Sequence, residues 1–89
     1  MINYSGNTGV SFEEAVIIIG VKNSWEGIEA EYNYIIQKHG KVNVDWRLIN
    51  QFFYEKGDKK FDVLEIQLKS GEKKEVYFEI SSFIGLAPV

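Results

Sequence analysis

Cysteine is absent from the chain. Without it there is no disulfide framework, no thiolate nucleophile and no cysteine-held metal, and the composition suits a reducing compartment. Histidine occurs once, at His39, and no sequence spacing marks the orienting acid and nucleophile that a catalytic imidazole needs. Long apolar runs are missing too. The longest, Ala15 to Ile19, is far too short for a membrane span or a signal-peptide core, and acidic residues precede it. Positive charge is not in excess: the formal net charge is −3, so no general field draws phosphate backbones, and nucleic acid is a poor first expectation. No glycine-rich loop joins a strand to a helix in phosphate-binding fashion, and no G-x-S-x-G, H-E-x-x-H or Cys/His metal spacing occurs. These absences predict a cytoplasmic protein with no membrane segment, no metal and no cofactor.

What is abundant is large apolar side chains. Hydrophobic residues make up 45% of the 89 positions and aromatics 15%, among them six Phe, five Tyr and two Trp. Each aromatic buries a large area, which a short chain needs, because a domain of this size removes only roughly 60–65% of its unfolded surface from water. One domain over residues 1–89 is expected, of modest stability, and a partner subunit would help it.

Residues 1–10, "MINYSGNTGV", are rich in turn formers and read as a loose N-terminal arm. "SFEE" reads as a capping box, with Phe12, Ala15, Val16 and Ile19 at helical spacing and Gly20 as a stop, giving a helix over 11–19. The competing reading is a buried strand, since "AVIIIGV" is β-branched and short. A second helix starts at Asn23 or Ser24 and runs to Gly40, with Trp25, Ile28, Tyr32, Ile35 and Ile36 as its buried stripe and Glu29, Glu31, Asn33 and Lys38 in water. Gly27 in its first turn implies close packing against the backbone. From Val44 the period shifts toward two, and strands are expected at about 44–55, 60–69 and 73–80, before a tail over 81–89. The predicted fold is α+β: two N-terminal helices packed on one face of a three-stranded antiparallel β-meander (ααβββ).

A one-residue slip turns every strand side chain to the other face, so loop length can be used to assign faces. A three-residue Lys69-Ser70-Gly71 loop puts Leu64, Ile66, Val76, Phe78 and Ile80 on one side. A three-residue Glu55-Lys56-Gly57 loop adds Trp46, Leu48 and Phe52, whereas a two-residue Gly57-Asp58 loop turns Ile49 and Phe53 inward instead. In the first arrangement the reverse face presents Ile49, Phe53, Phe61, Val63 and Tyr77, with Ile49, Val63 and Tyr77 side by side.

Several clusters have ordinary explanations. Glu26 and Glu29 near Trp25 read as helix capping and a solvated acidic face, and His39 as a cation complementing the helix C-terminus. Asp45, Trp46 and Arg47 read as an ion-paired strand end. The lysines around 56–60 and 69–74 lie at opposite ends of a meander among carboxylates, where they deter sheet-to-sheet association. Two functional expectations follow. The leading one is a non-enzymatic module that binds protein, most simply a second copy of itself, through the outer face (Ile49, Phe53, Phe61, Val63, Tyr77) or edge of the sheet. The alternative is a small-molecule binder or enzyme with an aromatic pocket between helices and sheet, lined by Trp25, Tyr32 and Trp46.

Overall fold

The computed structural model describes residues 2–5 and 8–81. In chain order these form β1 (Asn3–Ser5), β2 (Val16–Ile19), α1 (Ser24–His39), β3 (Trp46–Lys56), β4 (Lys59–Leu68) and β5 (Lys73–Glu79). The strands make one five-stranded sheet in the order β1-β2-β5-β4-β3. β2 and β5 are parallel, and every other neighbouring pair is antiparallel. The expected pair of helices on a three-stranded meander is thus corrected to one helix on a five-stranded mixed sheet. Among the described residues no helix is long and apolar enough to cross a membrane.

The correction falls on the first twenty residues. "SFEE" forms a single turn: the Glu14 amide donates to Ser11 Oγ at 3.2 Å and the Ala15 amide to the Phe12 carbonyl at 3.3 Å. The chain then extends, because Val16, Ile17, Ile18 and Ile19 are all β-branched and stiff at χ1, which suits a pleated surface better than a helical turn. Val16 and Ile18 point into the core and are fully buried. The arm expected to be loose supplies β1, whose Tyr4 lies opposite Ile18. The tail lies outside the described residues apart from Ser81, whose Oγ accepts from the Lys60 amide.

The helix begins where expected. Asn23 Oδ1 accepts from the Glu26 amide at 2.9 Å, satisfying a free donor of the first turn, and Glu26 Oε1 reaches back to the amide of Lys22, the residue before the cap, at 3.0 Å. Its buried stripe is turned from the one expected. Gly27, Ala30, Glu31 and Ile35 face inward, while Trp25 and Ile28 are 59% and 43% exposed. Small side chains let a helix backbone approach its neighbours, and Tyr4 Oη does reach the Ala30 carbonyl at 2.7 Å. Tyr34 stacks edge-on against Phe78.

α1 ends at Gly40, whose φ of 103° excludes most other residues. A tight connection follows. Asp45 Oδ2 accepts from the Lys41 amide, and Trp46 Nε1 donates to the Gly40 carbonyl at 2.8 Å. Asp45, Trp46 and Arg47 therefore act separately rather than as an ion-paired end: the Arg47 guanidinium bonds to Gln67 across the outer face.

The β4–β5 loop is the expected three-residue one, with Leu68 N–H donating to Glu72 O and Gly71 at φ 97°. Leu64, Ile66, Val76, Phe78 and Ile80 accordingly share the core with Val16, Ile18, Ala30, Ile35 and Trp46. The β3–β4 hairpin differs from the expected one. Lys56 pairs with Lys59, leaving the two-residue Gly57-Asp58 loop, and the register shifts by one between Leu48 and Asn50. Such a bulge inserts one unpaired residue and reverses the facing of everything beyond it. Trp46 and Leu48 thus stay on the helix side, as the first arrangement had them. Beyond the bulge the second holds: Phe53 lies opposite Asp62 on the helix side, and Phe52 lies opposite Val63 on the outer side.

Candidate functional site

β3 is 11 residues long and stands at the end of the sheet, so no described strand pairs with its other edge. The hydrogen-bond direction along it follows from the hairpin. A two-residue loop closes on a pair that exchanges both backbone hydrogen bonds, here Lys56 with Lys59, and antiparallel ladders alternate from there. Tyr54, Phe52 and Asn50 therefore bond to β4. Glu55, Phe53 and Gln51 direct their N–H and C=O groups away from it. Side chains alternate in the same rhythm, and at the centre of this stretch Phe52, Phe53 and Tyr54 are 39%, 50% and 42% exposed. Three consecutive exposed aromatics on a free edge are uncommon, since proteins ordinarily blunt such edges with charges, bulges or short strands. β1, the opposite edge, is only three residues long. On β3 the protective devices sit at the two ends: the bulge at Leu48–Asn50 and the charged pair Glu55 and Lys56.

The outer face is less open than its alternation suggests. Phe12, in the turn before β2, lies over it with its ring 5.1 Å from Phe61, 4.9 Å from Tyr77 and 5.3 Å from Tyr54, all edge-on. Lys56 Nζ caps the far side of Phe12 at 4.2 Å from the ring centroid. Phe61 and Val63 are buried, and Tyr77 is half-buried. Val63 does lie opposite Tyr77, but the bulge replaces Ile49 with Phe52 on its other side. Of the residues expected to form an open surface, Phe53 is the one that stands exposed. Ile49 is half-buried in the bulge. Phe52 and Tyr54 were missed, because a bulge leaves no mark in the alternation of types along β3.

The residues of the expected aromatic pocket separate. Tyr32 and Trp46 touch, their rings 5.9 Å apart, within the filled core beside the helix C-terminus. Trp25 is exposed at the other end of α1. An open groove of about 380 Å³ does lie beside Trp46, lined by residues including Asn43, Asp45, Arg47, Gln67 and Lys69. Three of the lysines of the turns pair with carboxylates, Lys59 with Glu79, Lys60 with Glu55 and Lys74 with Glu72. His39 is held below the ordinary histidine range, first by burial and then by Lys74 and Lys38, so it favours the neutral imidazole.

One titratable pair escaped the sequence reading entirely. Glu31, expected in water, is 1% exposed, and Asp62 on β4 is 7% exposed. Burial pushes the Glu31 carboxyl up to about 10, helped by its hydrogen bond with Asp62 and by repulsion from it. Gln51 Nε2 donates to Asp62 Oδ2 at 2.8 Å, and Glu31 Oε1 has no hydrogen-bond partner. The arrangement holds a proton at neutral pH and ties the helix to the middle of β4. Among the described residues no group of three or more metal-ligating side chains gathers around it or elsewhere. The groove near Trp46 does not include the pair. Through Gln51 the pair is joined to β3, one residue from the exposed aromatics.

No protein family, no curated protein and no solved structure matches the chain.

Proposed function

We propose that the protein is a non-enzymatic interaction module that takes up an extended strand along the free edge of β3. The observation that carries this reading is the pairing of unpaired outward backbone groups at Gln51, Phe53 and Glu55 with exposed aromatics at Phe52, Phe53 and Tyr54. Strand addition draws its affinity from main-chain hydrogen bonds and its selectivity from alternate side chains, and this edge offers both. The rest of the sheet holds the edge in place: β4 is largely buried and paired on both sides, and the hairpin is locked at Gly57 by a φ of 64°. The absence of cysteine supports a reducing compartment for this activity.

The experiment is a selection of displayed random peptides at nanomolar concentrations of the immobilised chain, followed by rebinding to a Phe53→Pro variant. Proline at position 53 removes an outward N–H and leaves the bonds to β4 intact, a placement that edge strands tolerate. The expected peptides are extended, alternate in polarity and shift only the amides of 50–56 on binding. Their binding falls by roughly tenfold or more with Phe53→Pro, the loss of about 1.4 kcal/mol that one or two backbone hydrogen bonds represent. Peptides that bind Phe53→Pro as well as the parent, or that shift amides elsewhere, would falsify strand uptake at this edge.

A further inference from the structure

The edge of β3 has a sequence that complements itself. Beyond the bulge, the regular ladder runs from Asn50 to Lys56, and its midpoint is Phe53. Two copies related by a two-fold axis perpendicular to the sheet pair residues whose numbers sum to a constant. The faces match only if that sum is even, so the axis must pass through a residue. Three centres bring the exposed aromatics together. With Phe52 on the axis the ladder meets the bulge after Tyr54, and with Tyr54 on the axis it meets the Gly57 turn beyond Phe52. With Phe53 on the axis all of Asn50–Lys56 is used on both chains.

That centre also gives the right side-chain partners. Phe53 faces the partner's Phe53 across the helix side of the sheet, and Phe52 faces the partner's Tyr54 on the outer side. Gln51 meets the partner's Glu55, an amide opposite a carboxylate, and Asn50 meets the partner's Lys56. No like charges are opposed, although two of the four non-aromatic residues, Glu55 and Lys56, are charged, and cross-strand aromatic pairs add to the ladder itself. The hydrogen-bonding phase is satisfied in every even-sum register, and with Phe53 on the axis all three outward residues find outward partners. Gln51, Phe53 and Glu55 are the residues with outward backbone groups, and in this register they bond to one another: Phe53 with Phe53, Gln51 with Glu55.

We propose that the strand taken up along β3 is the β3 of a second copy, antiparallel, with Phe53 on the two-fold axis, so that the two sheets become one. This rests on the strand-uptake reading above and adds the identity of the partner and its register.

The absence of native cysteine makes the register directly readable. Single variants Phe52→Cys, Phe53→Cys and Tyr54→Cys of the full chain are oxidised mildly, with Glu29→Cys on the exposed face of α1 as the measure of random collision. In the proposed register Phe53→Cys couples to itself at a Cα separation of about 5.5 Å, within disulfide reach. A mixture of Phe52→Cys chains with Tyr54→Cys chains keeps Phe53 and couples as the mixed pair, about 4.5 Å apart. Both rates are expected at least about tenfold above Glu29→Cys, as held neighbours exceed free ones in effective concentration. Phe52→Cys alone and Tyr54→Cys alone stay near the collision rate. Preferred self-coupling of Phe52→Cys or of Tyr54→Cys overturns the register while leaving strand uptake standing. Collision-level coupling of every combination, with monomer in sedimentation at high concentration, overturns the second copy as partner. The peptide selection then decides strand uptake on its own.

Discussion

Glu31 is the residue whose setting departs furthest from its chemistry. A carboxyl group taken from water keeps its proton rather than its charge, because an ionised form buried beside Asp62 would meet both desolvation and repulsion. Its folded value of about 10 lies far above the 4.5 of a free glutamate. The folded state therefore holds a proton that the unfolded state releases, and the stability contributed by this group is whole below about pH 4.5 and declines as pH rises toward 10. Glu31→Gln keeps an N–H donor for Asp62 and titrates nowhere. It is expected to stabilise the protein at pH 7 by on the order of 2 kcal/mol and to flatten the fall in stability between pH 5 and 9. Denaturant melts of the two proteins across that range check this, and parallel curves would show that Glu31 is ionised in the fold. Asn23 was legible in the sequence because its partner Glu26 is three residues away. Glu31 was not, since helical periodicity ranks side chains by type, and the reason for its burial, Asp62, lies on another element.

Among the elements, the connection from α1 to β3 decides how the edge strand is set. Gly40 lies at φ 103°, and a Cβ there would collide with the Asp45 side chain, which is itself held by the Lys41 amide. Gly40→Ala is expected to cost roughly 2 kcal/mol or more, combining backbone strain with a displaced carboxylate. Thermal melting measures it, and an unchanged midpoint would mean that the connection yields freely. The same scale shows why the strands were legible and their facing was not. The β4–β5 loop is recognised from Gly71 and from the alternation on both sides of it. In β3 the alternation is interrupted at Ile49 by an inserted residue of ordinary strand type, so no local signal exists. β2 illustrates a different failure. Ala15 to Ile19 satisfies a helix pattern and a strand pattern alike, and the decision comes from β1 and β5, partners far away in the chain.

For the whole molecule, the notable fact is that β5 lies between β2 and β4. The sheet therefore has no independent half: within its ladders β1–β2 joins the hairpin β3–β4 only through β5, with Phe12 of the β1–β2 connection packed across the outer face onto Phe61 and Tyr54. Phe78, fully buried on β5, sits opposite Val16 on one side and Asp62 on the other. Phe78→Ala is expected to cost roughly 3–5 kcal/mol, comparable to the entire stability of a small domain at about 5 kcal/mol. The loss should be a single transition, with tryptophan fluorescence from Trp46 and far-ultraviolet dichroism changing together. Separate transitions would show that the β3–β4 hairpin persists alone. None of this order was visible in local patterns, which pair each strand with its nearest successor and so yield a meander.

The position of β5 also has a consequence for synthesis on the ribosome. β2 emerges early and has no parallel neighbour to dock against while α1, β3 and β4 are being made. β4, once made, carries an open edge on the side that β5 will occupy, in addition to the edge β3 keeps in the finished protein. Until β5 clears the exit tunnel, a nascent chain thus displays two unpaired edges on one hairpin, at the moment when neighbouring ribosomes on the same message hold identical chains nearby. Arrival of the strand closes the inner edge of the hairpin and leaves only the outer one open, so the window in which both edges are bare ends with the last strand made.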